Sequence, residues 1–224
     1  MVWSKLLESL GIKSILDVGC GRGISTSWFY LQGVKVECVE GSHDAFDRSM
    51  LLSLMKEKDK DVDLSKVMVE HDFSRGPWWP EQTVDMVWSV EFLEHVGRNF
   101  EKNYLTAFKK AAFVVVTHSN WGGWHHTEVH SKFHLDHIYM QYSYCVHPCF
   151  DVIDQTFLNF KDSDWWISRF TMNGFIYSPE LTKHIKDLAG MEKKEKIAFP
   201  LPHVTEYYFA QHLMTAMVSS INQT

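Results

Sequence analysis

The sequence has little of what marks several large protein classes. Four cysteines among 224 residues are too few for a disulfide scaffold, so we expect Cys20 and Cys38 to be small core residues. The formal charge of -6 argues against a broad phosphate-binding face, because affinity for nucleic acid depends on lysine and arginine. No apolar run approaches the roughly 20 residues that cross a bilayer. We therefore expect neither nucleic acid nor membrane as a partner, and a cytoplasmic location.

The composition indicates one globular domain. Hydrophobic residues make up 45% of the chain and aromatic residues 14%, and this length is sufficient for a full core. We therefore predict a single domain over residues 1–224.

Apolar runs alternate with amphipathic segments along the chain, which is typical of a doubly wound α/β fold. Strands are predicted at 13–19, 34–40, 67–73, 84–90, 112–118, 175–177 and 212–218. Helices are predicted at 3–10, 24–32, 43–58, 92–110, 165–173 and 179–188.

Three glycines at alternate positions follow the first strand. Gly19, Gly21 and Gly23 come just after Asp17, and the segment after them is a predicted helix. Glycine lets backbone N–H groups approach a ligand closely, since it has no Cβ. The spacing differs from the dinucleotide fingerprint, in which the third glycine lies three residues after the second. The turn therefore predicts a ligand site other than a nicotinamide site.

Acidic residues also end the next predicted strands, at Glu40 and Asp72, and the fourth strand runs into Glu91-Phe92-Leu93-Glu94-His95-Val96. From about residue 14 to 119, this order resembles the class I S-adenosylmethionine-dependent methyltransferases. The resemblance implies a Rossmann-like, seven-stranded, mostly parallel sheet, with the last strand antiparallel. It also implies S-adenosylmethionine as cofactor and S-adenosylhomocysteine as product.

The resemblance further assigns roles in the cofactor site. Glu40 is expected to accept the ribose hydroxyls, because a carboxylate offers two acceptor oxygens, and Asp72 to accept the adenine amino group. The full set of predicted cofactor-binding residues is Asp17, Gly19, Gly21, Gly23, Glu40, Gly41, Asp72, Phe73, Ser89 and Val90.

A histidine-rich and aromatic-rich segment follows the fifth strand, and we predict a capping insertion there at about 120–162. Ligands of open parallel sheets bind beyond the strand carboxyl ends. The predicted catalytic residues are accordingly His126, as first choice of base, with His125, His95 and Glu91. Histidines 126, 130, 134 and 137 have spacings compatible with a transition metal. They match no standard zinc module, and lining of a polar acceptor pocket is the preferred interpretation, without a metal.

These observations predict a methyltransferase that acts on a small-molecule or glycan-type acceptor by in-line transfer. Two alternatives remain at this point. One is a module that binds the cofactor without catalysis, and the other is a nicotinamide-dependent oxidoreductase of related fold.

Overall fold

A mostly parallel sheet forms the centre of the molecule. The computed structural model describes residues 2–117, 163–194 and 215–219. The strands are β1 (Ser14–Val18), β2 (Lys35–Glu40), β3 (Met68–Glu70), β4 (Val84–Ser89), β5 (Ala111–Val116), β6 (Phe175–Tyr177) and β7 (Thr215–Ser219). The helices are α1 (Val2–Leu10), α2 (Ile24–Leu31), α3 (His43–Asp47), α4 (Met50–Lys58), α5 (Glu101–Phe108), α6 (Ser163–Met172) and α7 (Pro179–Lys194).

The strand order is β3-β2-β1-β4-β5-β7-β6. The first five strands form the continuous parallel part, and β7 pairs antiparallel with both β5 and β6. The predicted Rossmann-like class with a mostly parallel sheet is confirmed. The chain proceeds from β1 to β2 on one side and returns to β4 on the other, so the topological switch point lies between β1 and β4. Open α/β sheets bind ligands outside the strand carboxyl ends at such a point.

Helices cover both faces of this sheet, because alternate residues of the central strands point to opposite sides. Ile15 and Trp88 pack with Phe29 of α2 on one face. Leu16 packs with Phe108 of α5 on the other. The carboxyl-terminal halves of β1 and β4 are buried on both faces of the sheet.

The predicted helix 43–58 is wrong in one respect, since it divides into α3 and α4. Ser49 lies between them, and its hydroxyl accepts from the backbone N–H of Leu52 at 3.2 Å. The N–H of Met50 donates to the carbonyl of Arg22 at 2.9 Å. This cap and this tertiary bond start a new helix against the glycine turn.

The predicted helix 92–110 is also wrong over its first half. Only Glu101–Phe108 is α-helical, and two 3₁₀ turns, Leu93–His95 and Arg98–Phe100, come before it. Gly97 separates these turns with extended dihedrals (φ −57°, ψ 142°). The segment that follows β4 is therefore an irregular loop beside the switch point.

The predicted insertion at 120–162 lies outside the described residues. Among the helices of the described ranges, none is long and apolar enough to cross a membrane.

Candidate active site

The glycine turn after β1 combines a close packing contact with an open surface. Gly19, Gly21 and Gly23 all have positive φ, at 73°, 55° and 74°, a region that side chains disfavour. A Cβ on Gly19 would overlap the Phe92 side chain, and one on Gly23 would lie 2.6 Å from the Cβ of Leu51. A Cβ on Gly21 would meet no atom within 4 Å. Gly19 and Gly23 therefore serve packing, while Gly21 presents bare backbone to open space.

The carboxylate of Glu40 is held beside this open backbone. Its Oε2 accepts from the N–H of Gly21 at 2.7 Å, and its Oε1 accepts from the N–H of Ser42 at 2.8 Å. Each oxygen of a carboxylate has a second lone pair. The two backbone bonds thus orient Glu40 and leave it able to accept two further hydrogen bonds.

The end of β3 lies directly against the end of β2. The N–H of His71 donates to the carbonyl of Glu40 at 2.9 Å, and a Cβ on Gly41 would lie 3.3 Å from the carbonyl oxygen of His71. Gly41 thereby allows the two strand ends to approach closely. The predicted cofactor residues Glu40 and Asp72 consequently occupy neighbouring positions on one edge.

Asp72 is half-exposed and begins a 3₁₀ turn. Its Oδ1 accepts from the N–H of Ser74 at 2.8 Å, and its Oδ2 lies 3.7 Å from Nε of Arg75. Partial burial raises the pKa of Asp72, but the Ser74 hydrogen bonds and the Arg75 charge outweigh that effect and lower it. The carboxylate is therefore ionised at neutral pH. Phe73, the next predicted cofactor residue, is buried against the rings of Phe92 and Tyr104.

Asp17 lies beneath the glycine turn, and its side chain is buried. The hydroxyls of Thr26 and Ser25 donate to its Oδ2 at 2.6 and 2.8 Å, near the positive end of α2. Asp17 thus links β1 to the first turn of α2. This geometry supports an indirect contribution of Asp17 to the cofactor site, through the shape of the turn.

Asp17→Asn should make stability less dependent on pH. Burial raises the pKa of Asp17 from 3.8 to about 6, against the lowering effect of the Thr26 and Ser25 hydrogen bonds. Because the folded pKa lies above the unfolded one, the stabilisation is complete below the unfolded pKa and is lost as pH rises through about 6. Between about pH 4 and pH 8, the free energy of unfolding of the asparagine variant should rise by on the order of 3 kcal/mol relative to that of the parent, as measured by urea titrations.

Asp85→Asn provides the matched control, because its shift has the opposite sign. Partial burial raises the pKa of Asp85, but hydrogen bonds from Lys13 and Ser14 outweigh that effect and lower it. Its stabilisation is present above the unfolded pKa and is lost as pH falls through the folded pKa. Parallel pH profiles for Asp17→Asn and the parent would contradict the assignment of a buried, raised-pKa carboxyl.

The end of β4 contains the remaining predicted cofactor residues. Ser89 is fully buried and its hydroxyl donates to the carbonyl of Val18 at 2.9 Å, which joins β4 to β1. Val90 is half-buried and packs against the core. The hydroxyl of Ser89 is thus used within the protein, and any cofactor contact here depends on the backbone or on Val90.

The predicted catalytic residues of the next segment differ in accessibility. Glu91 is half-buried, Glu94 is fully buried and His95 is exposed. His125 and His126 lie outside the described residues, as do the other histidines of the metal alternative. In the part of the chain that the structure describes, no group of three or more histidine, cysteine or acidic residues is arranged to hold a metal ion.

The prediction that Cys20 and Cys38 are small core residues is confirmed, and the structure adds a covalent bond between them. Both are buried, and they form a disulfide with Cα atoms 6.0 Å apart. Parallel pairing of β1 and β2 places Asp17 opposite Cys38, which brings the following turn within reach of that sulfur. The disulfide links the glycine turn to the strand that ends in Glu40.

Some residues of the site were missed from the sequence. Thr117 bonds to Glu91, and Ser42 bonds to Glu40. Hydroxyl residues directly after a predicted strand are a weak signal, since they are common at turns. The contact between Gly19 and Phe92 has no local signal in the sequence.

Comparisons with known proteins support the same fold. Residues 16–117 match the family model described as "Methyltransferase domain". The structure of magnesium protoporphyrin IX methyltransferase from Synechocystis PCC 6803 with bound S-adenosylhomocysteine is similar, with a TM-score of 0.55 and 11% identity over 97% of this chain and 78% of that one. The methyltransferase domain of bacterial CtHen1 has a TM-score of 0.52 and 12% identity over 97% and 96%. A search of curated sequences found no significant match.

The fold is Rossmann-like, and its topological switch point lies at the edge of the sheet where the glycine turn follows β1. The match to a methyltransferase domain over residues 16–117, together with the fold shared with structures that contain S-adenosylmethionine or S-adenosylhomocysteine, indicates an S-adenosylmethionine-dependent methyltransferase. The site fits this cofactor in two respects: Gly21 leaves open space over the turn that a side chain would enter, and the Glu40 carboxylate is oriented beside it.

Proposed function

We propose that this chain transfers the methyl group of S-adenosylmethionine to a small-molecule acceptor. The observation that carries the proposal is the anionic edge of the sheet. Glu40 ends β2, and Asp72 and Glu91 lie two residues after β3 and β4, respectively; the chain has a net charge of -6. A phosphate backbone is bound chiefly by lysine and arginine, so this edge favours an acceptor without phosphates.

One similar structure offers a precedent for such an acceptor on this fold. Magnesium protoporphyrin IX methyltransferase is named for a small molecule, and it covers 97% of this chain at 11% identity. That identity supports a common fold, and the acceptor of this chain is proposed on its own residues.

The described residues have three proposed tasks in the reaction. The bound cofactor supplies a methyl group already activated by a positively charged sulfur. Glu40 holds the ribose by accepting its hydroxyls, Asp72 accepts from the adenine amino group, and Gly21 admits the cofactor to the backbone. Fixing donor and acceptor in line lowers the barrier by several kcal/mol, up to about 7–11 in the best cases.

The proposed acceptor side is formed by the segment after β5. We propose that residues 1–224 are one domain and that the insertion at about 120–162 caps the acceptor. His126 is the proposed base for a hydroxyl or carboxyl acceptor, with His125, His95 and Glu91 as further candidates. Histidine suits this task because its pKa lies close to neutral pH. The cytoplasmic location stays a prediction.

Glu40→Ala should weaken cofactor binding while the protein remains folded. The ribose hydroxyls lose their charged acceptor, and the N–H groups of Gly21 and Ser42 lose theirs as well. We expect a loss of about 1–3 kcal/mol in binding S-adenosylhomocysteine, measured by titration calorimetry. Glu70→Ala is the matched control, because Glu70 ends the next strand but contacts His43. Equal affinities for both variants would remove the ribose role.

An acceptor screen tests the proposed function directly. Release of S-adenosylhomocysteine is measured with panels of small hydroxyl, amine, carboxylate and thiol compounds, and in parallel with RNA. Turnover with a small molecule and none with RNA supports the proposal. Turnover restricted to RNA overturns it and leaves the methyltransferase class intact.

A further inference from the structure

Glu91 has a backbone conformation that requires support from its surroundings. Its φ is 54°, and it is the one residue other than glycine with positive φ in the described ranges. Such conformations cost about 1–3 kcal/mol for an ordinary side chain and persist where the neighbouring structure over-determines them. The contacts that hold Glu91 in this conformation therefore also show where the fold keeps its carboxylate.

The hydroxyl of Thr117 makes two of these contacts. It accepts from the backbone N–H of Glu91 at 3.0 Å and donates to Oε1 of the Glu91 carboxylate at 3.0 Å. Thr117 is itself buried, and its N–H donates to the carbonyl of Ser89 at 3.0 Å. One buried hydroxyl thus fixes both the main chain and the side chain of Glu91 across the ends of β4 and β5.

Phe92 fixes the same turn from the other side. Its ring lies 5.8 Å from that of Phe73 and 5.6 Å from that of Tyr104, both edge to face. Its side chain also occupies the space that a Cβ on Gly19 would need. Phe92, the residue that follows Glu91, therefore packs against the glycine turn.

These contacts place Glu91 at the switch point of the sheet. Asp17 is paired with Trp88 across β1 and β4, and Ser89 bonds to Val18. Glu91 thus follows β4 at the height where the glycine turn follows β1. The backbone of Glu91 therefore lies on the same edge of the sheet as the glycine turn.

We propose that Thr117 is a positioning residue that holds the Glu91 carboxylate as a fixed negative charge at the point of methyl transfer, where it recognises a cationic centre. The inference rests on the cofactor site described above. A preoriented charge needs no reorganisation when a ligand binds, which is why it acts more strongly than a mobile one. The cationic centres in question are the sulfonium of the donor and the ammonium of an amine ligand at the same place.

Two cofactor analogues measure this charge without any acceptor. Sinefungin has a protonated amine where S-adenosylmethionine has its transferable methyl group, and S-adenosylhomocysteine has no cationic group there. The ratio of their dissociation constants, from titration calorimetry, reports how strongly the protein favours a positive charge at that position. Binding of S-adenosylhomocysteine alone reports whether the pocket and the fold are intact.

Three variants separate charge, positioning and fold. Glu91→Gln removes the charge but keeps an oxygen that can accept from Thr117. Thr117→Val removes the hydroxyl at nearly constant shape, whereas Thr117→Ser keeps the hydroxyl. We expect the parent to prefer sinefungin and Glu91→Gln to lose that preference by roughly ten-fold, as for a charge-assisted hydrogen bond. Thr117→Val should lose part of it, and Thr117→Ser should retain it, with S-adenosylhomocysteine affinity unchanged throughout.

Each alternative result overturns a distinct part. An unchanged ratio in Glu91→Gln shows that Glu91 does not face the transfer point. If Glu91→Gln loses the preference for sinefungin over S-adenosylhomocysteine but Thr117→Val keeps it, the positioning role of Thr117 is overturned. If Thr117→Val loses equal affinity for both analogues, Thr117 contributes to the fold of the pocket and not to the position of the charge. A parent that binds neither analogue overturns the inference and the cofactor site together, whereas a parent that binds both equally overturns the inference alone.

Discussion

Gly21→Val is expected to abolish measurable cofactor binding while the chain still folds. A side chain at this position would enter the open space over the glycine turn, where no protein atom lies within 4 Å. The variant meets two costs. Valine is strained at a φ of 55°, which lowers stability by about 1–2 kcal/mol, and its methyl groups hold the cofactor away from the backbone. We expect affinity for S-adenosylhomocysteine to fall by at least about a hundred-fold, equivalent to about 2.8 kcal/mol.

Gly33→Val is the matched control for that experiment. Gly33 also has positive φ, at 79°, and a Cβ there would meet no atom within 4 Å. It lies between α2 and β2, at the opposite edge of the sheet from the strand ends that form the site. Gly33→Val should therefore lose a similar amount of stability in urea unfolding, while its affinity for the cofactor stays that of the parent. If both valine variants bound the cofactor like the parent, the glycine turn would not be its cradle.

His126→Ala is expected to lower turnover by roughly 10²- to 10⁴-fold, the usual contribution of a general base. The acceptor is the one identified by release of S-adenosylhomocysteine in the screen. Affinity for S-adenosylhomocysteine should change little, because the proposed base acts on the acceptor. The pH dependence of kcat/KM should lose one ionisation near neutral pH in the variant.

His184→Ala serves as the control for His126→Ala, since His184 is an exposed residue of α7. Equal turnover of the two variants would remove the base assignment and leave positioning as the mechanism. Chelator treatment tests the metal alternative separately. Loss of activity, with about one transition metal per chain by elemental analysis, would favour that alternative.

The sequence by itself was sufficient to predict the fold class and the edge of the sheet on which Glu40 and Asp72 lie. Apolar strands that are buried on both faces have a strong local pattern, and acids such as Glu40 and Asp72 lie at or just beyond their carboxyl ends. Because parallel strands end on one edge, a residue that follows a strand is assigned to that edge without knowledge of any contact. The helices at 24–32 and 165–173 were also predictable, because the periodicity of a helix is a local property of the sequence.

Only the tertiary structure decided what lies between these strand ends. The segment 92–110 has a helical pattern, yet its first half is irregular because Phe92 packs where Gly19 leaves space. Helix 43–58 divides because Met50 bonds to a carbonyl of the glycine turn.

The pairs Glu91 with Thr117 and Cys20 with Cys38 join residues 26 and 18 positions apart. Such contacts depend on strand order and register, which bring distant residues together. Local propensity therefore determined the elements and the edge on which the site lies. Long-range packing decided the conformation of the loops in which its side chains are held.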